Sequence, residues 1–148
     1  MNIIVRRAKS SDAVALVELN EEFNRFRMPL AVVRKCLTAN VKEAVFLAEA
    51  NGKAAGYACV QRSRSFCYVH PWAEVTEMYV RREYRRKGIG TALLRAAEEH
   101  ARRRGVNLIQ VLTGEKNRRG QGLYAAAGYL REKKYVYIKK LAIVKGKA

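Results

Sequence analysis

Cysteine is scarce in this 148-residue chain: Cys36, Cys59 and Cys67 are odd in number, show no CxxC spacing, and lie at no metal-ligand interval from His70 or His100. A disulfide framework and a zinc site are thereby excluded as the organising principle, and the thiols read as reduced and mostly packing residues. No apolar run is long enough to span a bilayer, and the opening Met1-Asn2-Ile3-Ile4-Val5-Arg6-Arg7 lacks the apolar stretch of a secretory signal, so a cytoplasmic location is expected. Acid is short as well: 13 Asp and Glu stand against 30 Lys and Arg, a formal charge of +17. Such a surface attracts polyanions in general, nucleic acid and ribosomes included. The cations are scattered, however, and no recognised nucleic-acid motif organises them, so charge alone does not choose a partner.

What is present suffices for a single domain over residues 1–148, since 49% hydrophobic content can fill a core without metal or disulfide. Asn2 to Arg7 reads as a first strand, and Ser10, Ser11 and Asp12 offer N-caps for a helix whose Leu16, Leu19, Phe23 and Phe26 share one face. Pro29 opens a short second helix over Leu30 to Leu37. Val41 to Ala50 and Lys53 to Gln61 are strand-like runs joined by Asn51-Gly52, a strong hairpin signal, and Phe66 to Val69 extends as a further short strand. Ala73 to Val80 is the next strand; simple alternation puts Glu74, Thr76, Met78 and Val80 on one face and Val75, Glu77 and Tyr79 on the other. Two glutamates in a central strand call for a reason, and one of them is expected to be functional. A helix from Thr91 to Arg104, a strand from Val106 to Thr113, a fourth helix ending at Gly128, and final strands over Tyr129 to Arg131 and Tyr135 to Val144 complete the chain, with Lys145 to Ala148 expected to fray. Tyr135 and Tyr137 mark the last strand either as core or as an interface with a second copy in a homodimer.

Between the strand ending at Val80 and the helix opening at Thr91 lies Arg85-Arg86-Lys87-Gly88-Ile89-Gly90. Glycines and cations at a helix N-terminus make an anion site, because the first amides of the helix have no intrahelical acceptor and carry partial positive charge. The stretch is neither a P-loop, which needs Lys-Ser/Thr where Thr91-Ala92 stands, nor a dinucleotide fingerprint, which needs glycine at Leu93. Arg85-x-x-Gly88-x-Gly90 does resemble the pyrophosphate-binding signature of the GCN5-related N-acetyltransferases (GNAT). Asn117, Leu123-Tyr124 and Gly128-Tyr129 are similar to that family's later pattern, in order and at the usual intervals.

The resemblance implies an α/β fold with a central mixed, mostly antiparallel sheet of six to seven strands flanked by about four helices, and a strand before the loop that is bulged and splays from its neighbour. It implies transfer of an acetyl group from acetyl-CoA, without metal, to a primary amine in a ternary complex. Arg85, Arg86, Lys87, Gly88, Ile89, Gly90 and Thr91 would hold the pyrophosphate; Met78, Tyr79 and Val80 would line the pantetheine arm, joined by Asn117 and Tyr124. Glu77 is the first candidate for general base and Glu74 the second; Tyr124 would protonate the leaving thiolate. Glu21, Glu22 and Glu74 are candidates for an acidic acceptor pocket, which favours a small cationic amine over a protein amine. The competing reading is a basic nucleic-acid or ribosome-associated binding module on the same fold, without activity; it would need neither Glu77 nor Tyr124.

Overall fold

The computed structural model describes residues 1–144. Five strands form one sheet in sequence order: β1 (Ile3–Arg7), β2 (Glu43–Ala50), β3 (Lys53–Ser63), β4 (Trp72–Val80) and β5 (Ile109–Val111). The first four pair antiparallel and β4 with β5 parallel, as expected for a strand–helix–strand crossover. Asn51 and Gly52, with φ of 49° and 77°, make the tight turn between β2 and β3 that their sequence foretells.

Helices cover both faces. α1 (Ala13–Asn24) and α2 (Leu30–Ala39) lie on one side, where Leu16 and Leu19 pack with Val45, Leu47, Tyr57 and Cys59. On the other, α3 (Ile89–Arg102) seats Ile89, Leu93, Leu94, Ala97 and Ala101 against Ala44, Phe46, Ala58, Val60, Ala73 and Val75. Leu19, Leu47, Ile89, Leu93 and Leu94 are almost wholly withdrawn from water, each contributing about 1.5–3 kcal/mol of burial. α4 (Arg118–Ala126) follows β5 and adds Leu123 and Tyr124 to the edge of this second core. Ser10–Asp12 forms a single 3-10 turn, and Asp12, rather than capping α1, takes both arms of the Arg6 guanidinium at 2.8 Å. That pairing holds its carboxyl below the usual carboxylate range.

Three expectations need correction. The sheet has five strands among the described residues: Phe66 to Val69 lies in turns and bends, and residues 129–131 and 135–144 join no strand. Their β-branched and aromatic alternation satisfies strand propensity, but a strand exists only when another strand accepts its hydrogen bonds. The strand expected over Val106 to Thr113 pairs only through Ile109–Val111. The faces of β4 are not those of simple alternation. Cys59 pairs with Glu77 and Val60 with Val75, so Thr76 is an extra residue, a β-bulge, whose hydroxyl donates to the Cys59 carbonyl at 3.4 Å. Phase reverses there. Ala73 and Val75 before the bulge, and Met78 and Val80 after it, face α3; Glu74 falls on the same face as Glu77 and Tyr79, toward α1 and α2. The expected fraying of Lys145 to Ala148 lies outside the described residues.

Candidate active site

Where β4 leaves its neighbour, the sheet opens. β4 and β5 are paired only from Ala73 opposite Ile109 to Val75 opposite Val111, and the bulge at Thr76 comes next. From there β4 runs on to Val80 with no strand on that side among the described residues. The Arg81 amide donates to the Ala55 carbonyl at 2.8 Å, so the bonded pairs of the β3–β4 ladder fall on odd-numbered β4 residues. Met78 and Val80 therefore direct backbone groups into the space β5 has vacated, except that Val80's carbonyl accepts Arg85 Nε at 2.8 Å.

The loop beyond Val80 is built to leave amides free. After one 3-10 turn (Arg82–Tyr84), Arg86 and Gly88 adopt φ of 62° and 83°, and α3 begins behind Gly88 without a side-chain cap. The amides of Arg86, Lys87, Gly88, Ile89, Gly90 and Thr91 have no acceptor among the described residues; the first helical bond runs from Ala92 to the Gly88 carbonyl. Six consecutive orphan donors at a helix N-terminus form a nest for an anion with several oxygens, and so fit a pyrophosphate. A Cβ on Gly90 would sit 2.9 Å from Leu123, so that glycine lets α4 close on α3. The cations divide in their duties. Arg85, tied to Val80 and lying over the Tyr79 ring, braces the loop; Lys87 donates to the Glu83 carbonyl at 2.9 Å; exposed Arg86 has no partner among the described residues.

Tyr124 borders the gap on the α3 side, packed on the cluster that includes Met78, Val80 and Val111. Its hydroxyl makes no hydrogen bond among the described residues, and burial raises its pKa, so it stays a proton donor at neutral pH. Asn117 caps α4: its Oδ1 accepts from the Gly120 amide at 3.1 Å and its Nδ2 donates to Thr113 at 2.9 Å. With both ends engaged it shapes the β5–α4 loop, together with Gln121, which donates to the Gly114 and Glu115 carbonyls.

The other side of β4 carries acid. Register aligns Glu43, Gln61 and Glu74 across three strands, with Val45, Cys59 and Glu77 in the next row. Burial pushes the Glu77 carboxyl up, the Glu43 charge adds to the rise, and the Asn24 amide opposes it. Asn20, one turn earlier on α1, accepts from the Tyr57 hydroxyl at 3.2 Å. Glu43, Asn20 and Asn24 were not singled out from the sequence; the available signal was an acid in phase with Val45 and Leu47 at the start of a buried run. Glu21 and Glu22, by contrast, do not join this face. Glu21 pairs with Arg27 at 2.7 Å, and Glu22 takes the Arg81 guanidinium at 3.0 Å and the Tyr79 hydroxyl at 3.1 Å. Tyr79 is spent in the same way, its ring stacked on Phe23 at 5.2 Å and its backbone in the β3 ladder.

Glu77 and Tyr124 thus lie on opposite faces of the sheet, both bordering the gap between β4 and β5. A family model described as the acetyltransferase (GNAT) family matches residues 13–129. An uncharacterized N-acetyltransferase of Archaeoglobus fulgidus is 30% identical over 82% of this chain and 89% of its own, and the uncharacterized N-acetyltransferase YhfO of Bacillus subtilis is 26% identical over 90% and 93%. Among solved structures, the aminoglycoside N-acetyltransferase AAC(6')-Iy, bound to a bisubstrate analog of CoA and acetylneamine, superposes with a TM-score of 0.84 at 19% identity, covering 96% of this chain and 100% of that one.

Proposed function

The chain belongs to the GNAT family of acetyl-CoA-dependent N-acetyltransferases, and from that premise we propose that it transfers the acetyl group directly to a small cationic primary amine, with Glu77 as general base and Tyr124 as general acid. The observation that carries this reading is the split sheet: orphan amides and Tyr124 on one side of the gap, carboxylates on the other.

Acetyl-CoA supplies an activated acetyl thioester. The amides from Arg86 to Thr91, with the free Arg86 guanidinium, bind its pyrophosphate, and the backbone of Met78 and Val80 holds the pantetheine arm as an added strand along the vacated edge. Glu77 removes the proton that an alkylammonium carries at neutral pH, so the nitrogen approaches the carbonyl with its lone pair free. Its raised pKa makes it a better base than an exposed carboxylate. Tyr124, kept protonated by burial, gives its proton to the departing sulfur. Glu74, on the same face, is the second candidate for the base and, with Glu43, an attractor for the acceptor's positive charge. Three carboxylates on one face, in a chain with a net charge of +17, favour a cationic small molecule over a protein amine. Cys59 is no rival nucleophile, because burial pushes its thiol far up.

The test is a titration of acetyl-CoA by calorimetry with Arg86→Ala as control, followed by a turnover screen of polyamines, aminoglycosides and peptides. Acetyl-CoA binding that weakens in the variant, with turnover on cationic small amines lost in Glu77→Gln and Tyr124→Phe, is the expected outcome. Full turnover in both of those variants would remove the assigned acid and base; preference for peptides would remove the acceptor class.

A further inference from the structure

The end of the sheet remote from the anion loop holds a second concentration of positive charge. β3 runs antiparallel to β4, so Arg62, opposite Ala73, lies where β4 begins, and the 14 residues of α3 carry the chain about 20 Å from the anion loop to that same end. Arg7 pairs with Phe46 and Arg62 with Ala73. Both partners belong to the core beneath α3, and cross-strand neighbours share a face, so both arginines leave the sheet on the α3 side. His100, in the last turn of α3, and Arg104, just past its end, meet them there. The half-buried His100 ring stands edge-on to Phe46 at 5.5 Å between centroids, and the Arg7 guanidinium lies 5.9 Å from the Phe46 centroid. Arg62 Nη1 donates to the Arg104 carbonyl at 3.4 Å, and Arg104 Nη1 donates to His100 Nδ1 at 3.1 Å. An arginine can only donate, so the ring is neutral with its proton on Nε2.

What this group lacks is an acid. Arg6, next to Arg7 but on the opposite face, takes Asp12 and Glu49 at 2.8 Å, and Arg81 takes Glu22 at 3.0 Å. Among the described residues no carboxylate bonds Arg7, Arg62 or Arg104; two backbone carbonyls and one ring nitrogen are their acceptors, which leaves most of their N–H donors to solvent. The crowding registers in the titrations. Burial and the Arg104 charge lower Arg7, while burial and the charges of Arg104, Arg7 and Arg62 push His100 down to about 4. The C-terminus of α3 offers roughly half a negative charge against three guanidiniums, and Glu99 in its last turn is already held by Arg102 and Arg103 at 2.7 and 2.8 Å. We propose that Arg7, Arg62 and Arg104, with His100 as the floor between them, form a second anion site that takes a compact, multiply charged phosphate: an oligophosphate or a phosphate monoester. Convergence decides the class. Three guanidiniums around one ring match several negative charges on one small group, whereas a nucleic-acid backbone carries one charge per phosphate and is matched by cations in a stripe. The inference is independent of the chemistry proposed above, because no residue of the anion loop or of the acidic face takes part.

The probe is inorganic pyrophosphate, and the chain's two histidines, His70 and His100, supply the readout. With ionic strength held constant by sodium chloride, the ring carbon–proton NMR signals of His100 should move saturably with pyrophosphate while those of exposed His70 stay still. A bound dianion stabilises the imidazolium, so His100 should hold its proton about tenfold or more tightly than in the free chain, where its pKa is about 4. Arg7→Gln, Arg62→Gln and Arg104→Gln, all at exposed positions, should each weaken pyrophosphate binding about fivefold or more. Arg86→Ala, in the coenzyme loop, should leave the His100 response untouched, which separates this site from the one proposed above. Parallel movement of both histidines, a His100 response that no arginine variant alters, or a tighter response to a single-stranded RNA oligonucleotide than to pyrophosphate would each overturn the assignment.

Discussion

The two sides of β4 are made of different material. On the α3 side the proposed cofactor site is main chain: six unpaired amides, two left-handed residues and a helix terminus, with the side chains of Arg85 and Lys87 turned back to brace the loop. On the α1 side the proposed acceptor site is side chain: Glu43, Glu74 and Glu77, brought onto one face from β2 and β4 by strand register. A main-chain site tolerates change in side chains but not in dihedral angles, whereas a side-chain site tolerates the reverse. The cofactor half should therefore break through glycine and the acceptor half through carboxylates, and each defect should leave the other half intact.

The largest expected effect is on the side-chain half. Glu77→Gln should lower kcat/KM by about 10²- to 10⁴-fold, the usual contribution of a general base, while calorimetry finds acetyl-CoA affinity unchanged. In the unaltered protein kcat/KM should rise with pH and level off above a pKa higher than the ordinary carboxylate value of 4.5, because burial raises Glu77 and only its ionised form accepts a proton. That limb should vanish in the variant. The same shift carries a sign for stability: a carboxyl raised on folding stabilises the fold in its neutral form, fully below the unfolded pKa and progressively less as pH rises through the folded one. Glu77→Gln should therefore melt no lower than the parent at pH 7. A clear drop in melting temperature would show Glu77 to be a structural residue.

Next in size is deletion of Thr76, which separates the two effects of the bulge. Without it, Glu74 and Glu77 still share a face, and Met78 and Val80 still face α3, because alternation then runs unbroken from Ala73. What changes is the course of the strand, which departs from β5 at this residue. A displacement of about 1 Å at a reacting centre costs on the order of 10²-fold, and a loss of that size in kcat/KM is expected with the acidic face preserved. Unchanged turnover would mean that the gap does not depend on the bulge.

On the main-chain half, Gly88→Ala tests conformation alone. No atom lies within 4 Å of the added Cβ, yet φ is 83°. The cost of holding an L-residue there is roughly 1–2 kcal/mol, so acetyl-CoA should bind about 5- to 30-fold more weakly, with the pH limb of Glu77 unmoved. A shifted limb would couple halves that the sheet keeps apart.

The same division decides what could be read from residues in a row. The conformation of the loop from Arg85 to Thr91 was legible because consecutive free amides and glycines that permit positive φ are both properties of spacing. The hairpin at Asn51-Gly52, Leu16 and Leu19 of α1 and the buried face of α3 were legible for a similar reason, whereas Phe23 and Phe26, expected on the same face as Leu16, are 39% and 59% exposed, Phe26 lying beyond the end of α1. The acceptor face was not. One extra residue at Thr76 inverts the phase of β4, so simple alternation puts Glu74 with Met78 where the fold puts it with Glu77, and Glu43 lies 34 residues from Glu77 along the chain and meets it only through register. Residues 135–144 carry strand propensity, but whether they pair depends on an edge elsewhere, which no local pattern specifies.

Glu21 and Glu22 sharpen the boundary of the acceptor half, and here the expected effect is smallest. From the sequence they complete an acidic pocket with Glu74; in the fold, Arg27 and Arg81 neutralise them. Glu21 is 45% and Arg27 60% exposed, a pair in water whose contribution is at most about 1 kcal/mol and falls with salt. Glu21→Gln should thus change KM for the amine less than about twofold. Glu22 differs in degree, since it holds both Arg81, itself bonded to the Ala54 carbonyl at 2.9 Å, and the Tyr79 hydroxyl, and so fixes the end of β4 from which the loop departs. Its removal should register as a modest loss of thermal stability, with KM for the amine little changed. If Glu22→Gln instead raised KM for cationic amines while leaving neutral ones alone, the acceptor face would have to extend across α1, and the separation of the two halves by β4 would be the wrong division of the molecule.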